Sequence, residues 1–268
     1  MHNCLEAAVF WEAQYICQPH WHYFDQMFFV SDGHVELTVN DKAYSFDGPA
    51  VMFLEHLQTH TIVTGEHFRR YYLNINPLLA HTQLKEREYL LVPFSGYPDI
   101  SSHVLPVAPI APQLESLFSL LYQEFQTNDF PDYQLSLFEC ILHCLRRFAP
   151  QFFVCNVRPL TNAIRQLQRR FDEAPEDEIS LNELAEEYHF SVSYLTHKFK
   201  QVTGYSIGKY RMMCRIAAAK RMLLTTDLPI GTISNNCGFA DMSNFCRYFR
   251  QEVGCSPSVF RSKAIDFE

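Results

Sequence analysis

Gly238-Phe239-Ala240-Asp241-Met242-Ser243-Asn244-Phe245-Cys246-Arg247-Tyr248-Phe249-Arg250, closed by Gly254-Cys255-Ser256-Pro257, is the stretch that decides the fold. Asp241 is a residue type that caps helices. Phe245, Phe249 and Val253 recur at every fourth position, so the segment reads as one helix with a buried face, ended at Gly254. A shorter helix precedes it. Pro229 suits a first turn, Ile230, Ile233 and Cys237 face inward, and Gly238 allows a tight turn. Helix, short turn, second helix is the helix-turn-helix arrangement, whose second helix enters the major groove of DNA.

The pattern occurs twice. Phe190-Ser191-Val192-Ser193-Tyr194-Leu195, then Phe199-Lys200, Gly204 and Ser206, repeats it upstream. Ser193 and Ser243, Leu195 and Phe245, Phe199 and Phe249, and Gly204 and Gly254 are each 50 residues apart, whereas Leu184 and Ile233 are 49 apart. Self-similarity at a fixed period means one supersecondary unit used twice. In the first copy Ser180 and Glu183 form an S-x-x-E capping box, Leu181, Leu184, Ala185 and Tyr188 make the apolar face, and His189-Phe190 make the turn. Between the copies a helix runs from Ile207 to about Leu224. Such a rod of roughly 25 Å can hold two reading helices about one DNA turn, roughly 34 Å, apart.

Residues 159–263 resemble the DNA-binding domain of the AraC/XylS family of bacterial regulators. The residues that carry the likeness are Gly238-Phe239, Asp241, Ser243, Phe245, Arg247, Phe249-Arg250, Gly254, Ser256-Pro257 and a closing Phe260-Arg261. The resemblance implies seven helices in two units, double-stranded promoter DNA as target, and RNA polymerase as a partner if the protein is an activator.

Exposed positions at the start of each second helix are the candidate base readers. They are Val192, Ser193, Thr196 and His197 in the first unit, and Met242, Ser243, Cys246 and Arg247 in the second. Offsets of one, four and five keep each set on one face, opposite Leu195/Phe199 and Phe245/Phe249. Arg247 is the first choice for a base contact, because guanidinium matches the two acceptors of guanine, although a phosphate role is open to it as well. Lys198, Lys200 and Arg250 are placed to grip phosphates. Charge supports this division. The chain carries −8 overall, but residues 189–263 hold 11 Lys/Arg against 3 Asp/Glu, a net of +8, while residues 1–156 hold 7 against 17, a net of −10. A basic C-terminal segment behind an acidic body is the charge layout of a two-domain DNA binder.

Ahead of it, residues 8–75 read as strands. Met27–Val30, Val35–Val39 and Val51–Leu54 are short and β-rich, with turn signals at Ser31-Asp32-Gly33, Asn40-Asp41 and Asp47-Gly48-Pro49. Many short strands suggest a barrel or jelly roll. Helical spacing begins near residue 111, with Leu114, Leu117, Phe118, Leu121 and Phe125. It resumes after Pro131 with Leu135, Phe138, Ile141, Leu142 and Leu145. This hairpin either packs on the barrel or forms a dimer interface, and a homodimer is the expectation. The fold class expected is thus a two-domain α+β protein. A cupin-like effector-sensing barrel covers 1–108, a helical hairpin 109–150, a linker 151–158, and the double helix-turn-helix domain 159–268.

The segment Pro19-His20-Trp21-His22-Tyr23-Phe24-Asp25-Gln26, with Phe46-Asp47-Gly48-Pro49 and His60, resembles a cupin barrel, a common effector domain of AraC-type regulators. His20 and His22, two apart on a strand, face one side, and His60 can join them. In enzymatic cupins an acidic residue completes a metal site. Here Gln26 stands there, a poor ligand, and Asp25 points to the other side. The expected role of His20, His22, Gln26 and His60 is therefore to hydrogen-bond a small-molecule effector. Trp11, Trp21 and Tyr23 (with Phe53) supply aromatic walls, and neither metal nor cofactor is expected. A carbohydrate effector is suggested by the resemblance alone. The alternative is a metal-dependent cupin enzyme or metal sensor tethered to DNA. The nine cysteines lie scattered with no C-x-x-C pair, no secretory signal opens the chain, and no apolar run approaches the ~18 residues of a membrane span. A reduced, cytoplasmic, non-enzymatic protein is the expectation.

Overall fold

Two long strands organise the N-terminal half. In the computed structural model, which describes residues 4–94, 103–127, 130–154 and 159–265, β2 (Asp25–Val39) pairs along its length with β5 (His60–Ile75). Around them lie β1 (Leu5–Glu12), β3 (Lys42–Asp47), β4 (Ala50–Leu54) and β6 (Val104–Pro106) in one antiparallel sheet of order β1-β5-β2-β4-β6, with β3 on β2. The expected strands Met27–Val30 and Val35–Val39 are one strand. Ser31-Asp32-Gly33 is a bulge and not a turn: the register with β5 shifts at Val30/Asp32 and again at Gly33/Val35. Gly33 takes φ +98°, and a Cβ there would lie 2.1 Å from the His67 carbonyl oxygen. The bulge reverses the alternation. Phe28 and Val30, even-numbered, and Val35, Leu37 and Val39, odd-numbered, join one inner cluster with Met52, Leu54, Ile62 and Phe68. At the hairpin from β2 to β3, Asn40 and Asp41 both have positive φ, as a two-residue turn requires.

The opposite face carries Met27, Phe29, Val51, Phe53, Tyr71 and Leu73 and is covered by helices. These are α1 (Pro77–Gln83), which the sequence reading passed over, α2 (Ala111–Thr127) and α3 (Pro131–Phe148). Phe118, Leu121, Ile141 and Leu145 of the hairpin are each at most 1% exposed. They fill the core between sheet and helices, so the apolar stripe of the hairpin packs on the sheet and is not left over for a dimer. Phe53 packs edge-on against Phe94 in this core and is no wall of an effector site. Pro150–Phe153 forms a 3-10 turn with Phe153 buried in the same core. The expected linker therefore overlaps ordered chain at its start, and residues 155–158 lie outside the described residues.

The chain divides into two compact units, Met1–Val157 and Arg158–Glu268. The second is helical throughout: α4 (Pro159–Glu173), α5 (Leu181–Glu187), α6 (Val192–Thr203), α7 (Ile207–Thr225), α8 (Ile230–Asn236), α9 (Met242–Val253) and α10 (Pro257–Ile265). These are the seven helices expected, and the local chemistry of each boundary is visible. The Ser180 side chain accepts from the Glu183 N–H while Glu183 accepts from the Ser180 N–H, the capping box. Ser191, Ser206 and Asp241 accept from the N–H three residues on. Gly204 and Gly254 both end their helices at φ +83°.

Candidate DNA interface and effector site

α6 and α9 are twelve residues each, start 50 residues apart and share the same two caps. Their buried sides are Leu195 with Phe199, and Phe245 with Phe249, all fully buried. The turn before each needs a left-handed residue, His189 (φ +56°) in the first unit and Gly238 (φ +77°) in the second. At Gly238 a Cβ would sit 2.6 Å from the Glu176 Cα, so the second turn has no room for a side chain.

The outward sides hold the expected readers. Ser193, His197, Met242, Ser243 and Arg247 are exposed, and Val192, Thr196 and Cys246 are half-buried. The Thr196 hydroxyl donates to the Val192 carbonyl at 2.8 Å, so it is tied to its own helix. Arg247 is positioned from below. Asp241 accepts from the Asn244 side chain at 2.6 Å, Asn244 accepts from Arg247 at 3.1 Å, and the guanidinium lies over Tyr248 at 4.2 Å. Two exposed residues at the same level escaped the sequence reading, Tyr194 and Asn244, which are themselves 50 apart. That equivalence was the signal that could have found them.

The positive charge of this unit falls into two groups. Lys209 pairs with Glu252, Arg211 and Arg215 donate to the Ile179 and Pro175 carbonyls, and Arg261 donates to the Leu228 carbonyl. These hold the domain together. Lys200 and Arg250, at equivalent points of the two helices, are exposed and make no ion pair among the described residues. They remain available to an outside anion.

In the first unit the structure brings His20, His22 and His60 together, with ring centroids 4.5 to 5.4 Å apart. The expectation from their spacing that His20 and His22 share a strand does not hold, because neither lies in a regular strand. A single antiparallel bridge ties His20 to His60, and the Leu57 N–H donates to the His22 carbonyl. Each Nδ1 meets a main-chain carbonyl: Gln18 for His20 at 2.9 Å, Phe24 for His22 at 3.2 Å and Gln58 for His60 at 3.0 Å. A carbonyl only accepts, so each Nδ1 carries a proton, and in a neutral ring Nε2 then holds the lone pair. The ligand atoms of the three rings lie within 4.8 Å of one another. Burial above all, then the charges of His20 and Arg70, push His60 down to about 4, against a bond to Gln58 that opposes them. A hydrogen bond with Cys17 raises His20.

The remaining expected residues are spread out. The Gln26 side chain donates to Asn74 at 2.8 Å, across the β2–β5 register. Asp25 accepts from the His56 backbone and ring. Trp11 is 42% exposed, edge-on to Tyr15, with its indole donating to the Ala13 carbonyl. Tyr23 lies against Phe24, and Trp21 is half-buried, outside the ring contacts that join the imidazoles. Among the described residues no carboxylate joins the three nitrogens. They could supply three metal ligands, but the strong fourth would have to come from elsewhere.

A ligand-binding sheet domain ahead of two helix-turn-helix units defines a class, the two-domain transcriptional regulators. Residues 4–137 match the family described as AraC-like ligand binding domain, and residues 184–263 match a helix-turn-helix domain family. This chain belongs to the AraC/XylS family. It is 36% identical over 105 residues to the arabinose operon regulatory protein of Escherichia coli K12, a match that covers 39% of this chain and 36% of that protein. The chain thus spans little more than a third of that relative. The transcriptional activator RhaS of Escherichia coli O1:K1 is 25% identical over 256 residues, covering 90% of this chain and 86% of RhaS. An apo structure of ToxT from Vibrio cholerae superposes with a TM-score of 0.59 at 14% identity, covering 97% of each chain, which shows the fold alone. Among the described residues no helix is long and apolar enough to cross a membrane.

Proposed function

We propose that this protein is a sequence-specific, cytoplasmic transcriptional regulator without enzymatic activity, whose grip on promoter DNA is set by a small molecule held in the N-terminal sheet domain. The observation that carries the reading is the pairing of α6 with α9, two helices of equal length with a side-chain N-cap and a left-handed glycine C-cap each, which present polar side chains and, at equivalent points, the exposed cations Lys200 and Arg250 on their outward face. In this reading Ser193, His197, Ser243 and Arg247 meet bases, with Val192, Thr196, Met242 and Cys246 in contact beside them, and Lys200 and Arg250 take phosphates. His20, His22 and His60, and further off Gln26, Trp11, Trp21 and Tyr23, are the residues this reading assigns to the effector. RNA polymerase is a partner where the protein activates. A homodimer would form through the outer side of the α2–α3 hairpin, where Leu120 and Tyr133 are exposed, and would raise the local concentration of reading helices on adjacent half-sites. Footprinting of the purified protein with and without a metabolite panel tests the whole reading. Protection that no metabolite alters, or no protection of any promoter, refutes it. Log affinity should fall linearly with log salt as counterions are released.

A second reading is favoured by one observation, three clustered imidazoles whose Nδ1 atoms all meet main-chain carbonyls, which is the way metal-binding imidazoles are oriented. It makes the domain a metal sensor or a metal-dependent cupin enzyme. Against it stand Gln26, engaged with Asn74, and the positive Arg70, whose charge reaches His60. Elemental analysis separates the two. Sub-stoichiometric metal and chelator-resistant DNA binding are expected. One tightly held ion per chain with chelator-sensitive regulation would put the metal reading first.

A further inference from the structure

We propose that the effector is a carboxylate and that Arg70 is the residue that holds it. The proposal rests on the effector-binding reading above and adds the chemical class of the ligand. Arg70 stands in the middle of β5, opposite Val30 of β2 and Trp11 of β1, on the inner face with Phe28, Phe68 and Tyr72. It is 3% exposed. Four rings surround its guanidinium carbon: Tyr15 at 4.2 Å, Phe28 and Tyr72 at 5.0 Å, and Phe68 at 5.6 Å from their centroids. Arg70 donates one hydrogen bond to the Tyr15 hydroxyl. Among the described residues Nε and Nη1 have no partner and no carboxylate pairs with it.

Buried cations are almost always paired, because removing the charge from water is costly unless an anion or a set of acceptors replaces the water. Ring faces attract a cation but accept no conventional hydrogen bond. Four half-buried arginines find oxygen, Arg69 with Ser31, Arg87 with Glu139, Arg170 with Asp177 and Glu187, and Arg211 with the Ile179 carbonyl, although the Arg211 Nε is itself unmet. Arg70 is buried more deeply than any of these and leaves two nitrogens unmet. Burial pulls its pKa below the ordinary arginine value, as expected where no anion compensates it. The planar fork of donors matches both oxygens of a carboxylate.

A second unmet atom lies further along the same face. Gln26 is buried, its Nε2 is used by Asn74, and its Oε1 has no partner. Gln26 pairs with Asn74, four residues from Arg70 on β5, which is about 13 Å along the strand. Oε1 accepts, so it calls for a donor. A carboxylate at one end, a flat or apolar body against Tyr15, Phe28 and Tyr72, and a hydroxyl or N–H at the far end would satisfy both. Hydroxylated aromatic acids and sugar acids have this form, and neutral sugars do not.

Two matched pairs of probes test the proposal on the full chain by calorimetric titration and thermal shift. They are phenylacetate against phenylacetamide, and galacturonate against galactose. At least one acid should bind about 10- to 100-fold tighter than its neutral mate, the value of charged hydrogen bonds at a dry site. Arg70→Met should abolish that preference. Arg70→Lys keeps the charge but loses the fork, should weaken the acid by an intermediate factor, and carries the test should Arg70→Met fail to fold. The proposal is overturned if neither acid binds, if each neutral mate binds as tightly as its acid, or if acid preference survives Arg70→Met. Galactose that binds and shifts operator affinity while the acids do not would sink this proposal and leave the regulator reading intact. An acid bound through Arg70 that leaves operator affinity unmoved would do the reverse.

Discussion

The two candidate sites of this protein are built in opposite ways. The candidate reading helices α6 and α9 are local constructions. Each is started by a side-chain cap, stopped by a left-handed glycine and seated by two apolar residues four apart, and its functional side chains point outward. The inner site of the sheet domain draws on residues 15 to 26 and 60 to 74, which meet only because the segment ahead of β2 folds back along β5. Its central groups His60 and Arg70 are buried, and burial sets their chemistry. One site is exposed and modular, whereas the other is dry and collective. Substitutions at the first should therefore act one at a time, whereas conditions such as pH should act on the second.

The largest effect should come from the feature both repeats share. Phe199→Ala and Phe249→Ala each empty a fully buried position and should cost about 3–5 kcal/mol in chemical denaturation. Similar losses would confirm equivalent cores, and a twofold difference would break the equivalence. Next is the pH response of the sheet domain. His60 has a pKa of about 4 when folded against an ordinary ~6.5, so between these values the unfolded chain binds a proton that the folded chain refuses. Stability should be intact above pH 6.5 and fall by roughly 3 kcal/mol as pH drops to 4. His103, lowered by burial, adds in the same direction. Urea midpoints at pH 7.5 and pH 5 measure this, and a flat profile would show that His60 is protonated when folded. His60→Gln should flatten the curve.

Third comes DNA. Arg247→Ala should cost about 1–3 kcal/mol of operator affinity and relax preference at one base pair. His197, at the offset-five position of the first helix, should matter less, because imidazole offers a single donor where guanidinium offers a fork. Lys200→Ala should weaken all sequences alike. If Arg247→Ala lowers affinity without changing preference, the residue is a phosphate contact. The smallest effects concern the caps. Ser191→Ala and Asp241→Ala should each cost about 1 kcal/mol, as each leaves one first-turn N–H unmet. Asp241→Ala should also loosen Arg247, through Asn244, and so weaken DNA binding more than Ser191→Ala does.

What the sequence determined by itself is the C-terminal domain and the outward faces of its reading helices. Helical spacing, caps and αL glycines act within a few residues, and the 50-residue repeat states each of them twice. It also indicated that the N-terminal half is sheet and that His20, His22 and His60 belong together. The tertiary structure decided the rest. It turned a supposed turn at Ser31-Asp32-Gly33 into a bulge, because Gly33 lies against the His67 backbone of another strand. It placed Phe118, Leu121, Ile141 and Leu145 in the core, since a periodic apolar stripe marks a covered face without naming the cover. It also divided the basic residues of the helical unit into those that brace the domain and those, such as Lys200 and Arg250, that stand exposed without an ion pair among the described residues. And it buried Arg70 among four rings, in a strand where one charged residue between Arg69 and Tyr71 reads like any other. Whether a cation faces water or the interior depends on strand parity, and parity in this sheet is fixed by a bulge and by pairings dozens of residues away.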